Sequence, residues 1–275
     1  MLEPNPSWLV LIALVAVAGI SGGLLAGLLG VGGGIVIVPL LELAFTGAGL
    51  DPEVTMHLAV ATSMATIVPT SISSSRAHAR RDSVDHRVVA SWAPWIVGGA
   101  LLGALVAARL DGRVLAFVFA ALALGVAARM LLQRPAAPVP NAMPSASGGS
   151  AIPAAIGFLS ALLGIGGGTL SVPALTWRGL PIHRAVGTAA RIGLWISLPA
   201  TIGFLLARPP AGTAPPLAIG YVHIPAFVLV SMLTWICAPW GARIAHRASR
   251  RLLTAAFSVF LLAVAVRMLL RAYGG

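Results

Sequence analysis

Two clusters of three glycines and one isolated arginine are the residues whose types and spacing point to chemistry. GLLGVGGGIVIVP runs from Gly27 to Pro39, and ALLGIGGGTLSVP runs from Ala161 to Pro173. Gly32, Gly33 and Gly34 match Gly166, Gly167 and Gly168. Each glycine inside a helix costs about 1 kcal/mol relative to alanine, so each cluster is expected to break a helix in two. Consecutive N–H groups at the start of a short helix can face one point and bind an anion. Two such breaks, one in each half of an apolar chain, are the pattern of a transporter substrate site. No HExxH, nucleophile elbow or metal-ligand spacing is present. Binding rather than bond making is therefore expected, with no enzymatic activity, no metal and no cofactor.

Arg191 lies eight residues past His183, about 12 Å along a helix and near the middle of an apolar run. A charge at that depth calls for a partner. A bound anionic substrate, backbone carbonyls and hydroxyls, or Glu42 could fill the role. The other six of the seven acids fall in loops or at segment ends. His57 with Ala59-Val60-Ala61-Thr62 resembles His183 with Ala185-Val186-Gly187-Thr188. Thr62, Ser63 and Thr188 are candidate hydroxyl ligands. His57 and His183 are candidates for gating or proton coupling, against an ordinary place at helix starts.

The elements that must position these residues follow from composition. The chain has 275 residues, 58% hydrophobic and 9% charged, against about 25% charged in a soluble domain. An all-α integral membrane protein in a lipid bilayer is expected. The net charge of +11 comes from arginine alone. The arginines mostly flank apolar runs, which suits membrane topology rather than nucleic acid. One cysteine, Cys237, excludes an internal disulfide.

Apolar runs are read at Trp8–Phe45, Val54–Ser75, Val88–Ala108, Val114–Leu132, Ala151–Trp177, Ile182–Leu206, Tyr221–Ala245 and Leu252–Leu270. Residues 133–150, rich in proline, serine and glycine, read as a linker between an N-terminal repeat (1–132) and a C-terminal repeat (151–275). If each glycine segment enters and leaves on one side, Arg109, Arg113, Arg208, Arg267 and Arg271 fall on one face. Twelve of the 18 arginines fall on the other, and Arg191 lies between. The positive-inside rule favours that arrangement, although the first segment is long enough for two tight spans. Each half is then a re-entrant, glycine-broken helical hairpin plus three transmembrane helices. The second half is inverted relative to the first, the linker is cytoplasmic, and both termini lie outside the cytoplasm. Gly19 and Gly23, like Gly99 and Gly103, have the spacing of close helix packing.

The doubled glycine motif, with AVATS at Ala59–Ser63 and AVGTA at Ala185–Ala189, resembles the TauE/SafE sulfite exporter family. The resemblance covers both halves. It implies a permease of the bacterial inner membrane that moves sulfite, organosulfonates or related small organosulfur anions by alternating access. It also implies glycine hairpins that meet around the substrate path. Protons are a candidate coupling ion. A passive anion channel and a non-transporting membrane scaffold are the other classes that fit.

Overall fold

The computed structural model describes residues 6–29, 33–80, 82–132, 150–213, 215–245 and 250–274. The first half runs α1 (Pro6–Leu29), α2 (Gly34–Gly47), α3 (Pro52–Ala79), α4 (His86–Ala107) and α5 (Gly112–Leu132). The second runs α6 (Ala151–Leu163), α7 (Gly167–Trp177), α8 (Ile182–Leu206), β1 (Ala218–Ile219), β2 (Val222–His223), α9 (Ile224–Ala245) and α10 (Arg250–Gly274). Both expected breaks are present, since α1 gives way to α2 and α6 to α7 at the glycine clusters. Gly30, Val31 and Gly32 themselves, like the linker up to residue 149, lie outside the described residues.

The chain is an all-α membrane protein. Among the described residues, four stretches are long and apolar enough to cross a bilayer: Leu9–Ala26, His86–Ala107, Gly112–Arg129 and Ile182–Leu206. The last coincides with the expected run. The central helix α3 is longer, at 28 residues, but it buries Thr55, His57, Thr62, Ser63, Thr66 and Ser71, which makes it less apolar. The two broken segments are unequal. Helices α6 and α7, of 13 and 11 residues, reach about 20 and 17 Å, short of a hydrocarbon core about 30 Å thick. Helix α1, at 24 residues, reaches about 36 Å and is long enough to cross.

The first helix of each half docks on the other half. Helix α1 packs on α9 and α6 on α4, while α3 pairs with α8 and α5 with α10. Small residues make the seams close. A methyl group at Gly99, Gly103 or Gly157 would overlap the carbonyl oxygens of Ala154, Phe158 or Ile96. A Cβ on Gly19 would stand 2.8 Å from Leu233 Cβ, and one on Gly23 would stand 2.8 Å from Thr234 Cα. Backbone-to-backbone approach of this kind replaces hydrophobic driving force between helices in lipid. Outward positions such as Leu9, Ile12, Leu102, Phe117 and Ile202 are exposed and apolar, as a lipid-facing surface requires.

One expected boundary is corrected. Tyr221 does not begin a helix. Ala218 and Ile219 pair antiparallel with His223 and Val222, and the Tyr221 N–H bonds the Phe204 carbonyl at the end of α8 at 3.1 Å. Gly220, at φ +56°, makes the tight reversal against that same carbonyl.

Candidate functional site

The two glycine breaks meet. A Cβ on Gly34, the first residue of α2, would lie 2.6 Å from the Gly164 carbonyl oxygen, 2.9 Å from Ile165 Cα and 3.1 Å from Gly166 N. The backbones touch there because no side chain stands between them. Gly33 (φ +71°) precedes α2 and Gly164 (φ +69°) ends α6, both left-handed conformations that favour glycine. From α3, the Ser63 hydroxyl donates to the Gly164 carbonyl at 2.8 Å and pins the second turn. Gly167 opens α7 against α8: its Cβ would lie 2.7 Å from both the Ala189 carbonyl oxygen and Gly193 N.

Neither α2 nor α7 is capped by a side chain at its N-terminus. The N–H groups of Gly167, Gly168 and Thr169 have no hydrogen-bond partner among the described residues. Free first-turn N–H groups carry the positive end of a helix dipole, equivalent to roughly half an elementary charge. Here two such ends converge on one place, which is suited to holding an anion. Gly33, Gly34, Gly166, Gly167 and Gly168 are thus brought together; Gly32 lies outside the described residues.

Arg191 does not join them. Ala189 and Gly193 face Gly167. Arg191 sits two residues from each, about 200° away around the helix, so it leaves α8 on the opposite side. It falls in line with Arg184, Trp195, Leu198 and Ile202, all exposed. No described residue makes a hydrogen bond or ion pair with it. Nor does it pair with Glu42. Glu42, 1% exposed, instead takes Arg267 Nη2 at 2.7 Å and Arg271 Nη1, and accepts from the Thr46 hydroxyl at 2.9 Å. Arg271 also donates to the Pro52 carbonyl at 2.9 Å and to the Thr55 hydroxyl.

Thr62 and Thr188 are fully buried, and their oxygens hold the halves together. Thr62 Oγ1 accepts the His223 N–H at 3.1 Å. Thr188 Oγ1 accepts the Asp85 N–H at 2.9 Å. The relation is reciprocal: His223 precedes α9 and receives the Ala226 N–H on Nδ1 at 3.2 Å, while Asp85 precedes α4 and receives the Arg87 and Val88 N–H groups, both at 3.1 Å. Asp85 also pairs with Arg184 at 2.9 Å. Thr62→Val and Thr188→Val are each expected to lower stability by about 1–3 kcal/mol, because a backbone donor loses its acceptor. Thermal unfolding in detergent checks this; unchanged midpoints would return these hydroxyls to the role of substrate ligands.

The two histidines part company. His57 is buried, donates from Nε2 to the Leu110 carbonyl at 2.9 Å, stacks on Tyr221 and has no partner at Nδ1 among the described residues. His183, in the first turn of α8, is exposed. The two differ in their distance from the helix start. Helix α3 begins at Pro52 and carries His57 into its second turn, whereas α8 begins at Ile182.

Two hydroxyls near the junction escaped sequence reasoning. Ser71 Oγ lies 2.8 Å from the place where a Gly193 Cβ would stand, and Gly167 N lies 3.5 Å from the same point. Thr169 sits in the first turn of α7. They are 7% and 8% exposed, and neither hydroxyl has a partner among the described residues. The available signal for Thr169 was its position directly after Gly168; Ser71 offered none.

The family model described as sulfite exporter TauE/SafE matches residues 15–268. A probable membrane transporter protein of Haemophilus influenzae is 31% identical over 262 residues, covering 94% of this chain and 98% of that protein. One of Bacillus subtilis is 30% identical over 70% of this chain and 78% of its own length. One of Methanocaldococcus jannaschii is 28% identical over 96% and 97%. No solved structure gives a significant match. With its paired glycine breaks and a match that runs through both halves, the chain belongs to the TauE/SafE sulfite exporter family of membrane transporter proteins.

Proposed function

We propose that the chain is a secondary carrier for small organosulfur oxyanions, sulfite and sulfonates among them, working by alternating access between two inverted halves in a bacterial inner membrane. The observation that carries this reading is the meeting of two uncapped helix N-termini, α2 and α7, at contacting glycine turns. Each half supplies one of them, so movement of one half against the other remakes the site. Support for the inversion comes from reciprocity: α1 on α9 mirrors α6 on α4, and Thr62 with His223 mirrors Thr188 with Asp85. The linker is placed in the cytoplasm and both termini outside, on the arginine asymmetry. A coupling proton would belong on His57, whose buried Nδ1 has no partner among the described residues, rather than on exposed His183.

The test is counterflow of labelled sulfite in proteoliposomes. A carrier gives saturable uptake accelerated by unlabelled sulfite inside. Uptake that stays linear with concentration would make the protein a channel, and no flux above empty liposomes would leave only a scaffold.

A further inference from the structure

We infer that the glycine junction selects singly charged oxyanions over doubly charged ones of the same shape, because every donor that the described residues present there is neutral. This rests on the carrier reading above and concerns the same site. The donors are the N–H groups of Gly167, Gly168 and Thr169 at the start of an 11-residue helix. The hydroxyl of Ser71 lies 2.8 Å from the point where a Gly193 Cβ would stand, with Gly167 N 3.5 Å from that same point, and that of Thr169 is in the first turn of α7. These two side chains are more than nine-tenths buried and without partners among the described residues, so they are donors held ready for a ligand.

No described cation faces them. Arg191 leaves α8 on the far side. Arg184 is engaged with Asp85, Arg76 is exposed further along α3, and Arg267 and Arg271 are held by Glu42 beside Thr46 and Thr55. Charge discrimination follows. The cost of taking an ion out of water rises with the square of its charge, about fourfold from a monoanion to a dianion. Attraction to fixed dipoles rises only in proportion, about twofold. A site with a guanidinium could make up the difference; a site of amides and hydroxyls does not. The ligand class is therefore a monovalent tetrahedral or pyramidal oxyanion, such as a simple sulfonate or hydrogen sulfite.

The experiment uses the reconstituted full-length protein, with labelled sulfite counterflow as the readout. Methanesulfonate and sulfate are the competitors, alike in shape and different in charge. Methanesulfonate is expected to compete at least tenfold more strongly than sulfate. Ser71→Ala is expected to weaken methanesulfonate about ten- to a hundredfold, the worth of a hydrogen bond to a charged ligand, with Thr169→Val as the second variant should the first fail to accumulate. Equal competition by sulfate would overturn the charge selection and leave the carrier standing. Loss of all competition in Arg191→Gln would also overturn it, since a cation would then hold the anion. Absence of counterflow in the wild type would overturn the carrier reading and this inference together.

Discussion

Gly34→Ala and Gly167→Ala are each expected to cut anion flux more than tenfold. The added methyl at position 34 would lie 2.6 Å from the Gly164 carbonyl oxygen, and at position 167 it would lie 2.7 Å from Ala189 O and Gly193 N. All of these neighbours are backbone, so no change of rotamer relieves the overlap. Either the turns separate or α8 shifts. Forced overpacking of this kind costs about 1–3 kcal/mol, and the displacement falls on the N–H groups that form the site, where geometry decides affinity. Gly98 and Gly125 are the controls, because a Cβ at either meets nothing within 4 Å; Gly98→Ala should transport normally. Counterflow per amount of reconstituted protein is the measurement. Normal flux in Gly34→Ala and Gly167→Ala would mean that the junction is not on the substrate path.

The largest effect on stability is expected from Glu42→Ala. The carboxylate is buried between α2, α3 and α10, with Arg267 and Arg271 both directed at it. Its removal leaves two guanidiniums without their counter-charge, and breaking a buried pair in this way costs about 3–5 kcal/mol. For a chain of this size that is a fall in Tm of roughly 6–20 °C. If the coupling is through charge, adding Arg271→Ala to Glu42→Ala costs less than the two single losses added together. A shift below about 2 °C in Glu42→Ala would show that the network contributes nothing net.

Local features of the fold were legible because they depend on neighbours in the chain. Three glycines break a helix whatever surrounds them, and α8 falls on its expected residues because apolar length alone defines it. The direction of Arg191 was not legible. Depth along a helix follows from counting residues, but the face follows from which neighbour packs where, and Gly167 against Ala189 and Gly193 is known only from the folded chain. The partner of Glu42 was hidden for a similar reason: Arg267 is 225 residues away, and no spacing rule reaches that far. Thr62 and Thr188 were singled out as candidate hydroxyl ligands. Their hydroxyls tie one half to the other, a task that a repeated motif reveals no better than it reveals ligation.

The docking of α1 on α9 and of α6 on α4 also constrains how the protein is made. Helix α1 leaves the ribosome about 210 residues ahead of its partner α9, as the contact of Gly23 with Thr234 measures. At about 5–20 residues per second, synthesis keeps them apart for roughly 10–40 s. During that interval the Gly19–Gly23 face of α1 has only lipid or the insertion machinery for company. The N-terminal half therefore waits in the bilayer as an unfinished half-molecule. Proteolytic quality control acting on that intermediate, rather than on the finished protein, would set how much of it accumulates.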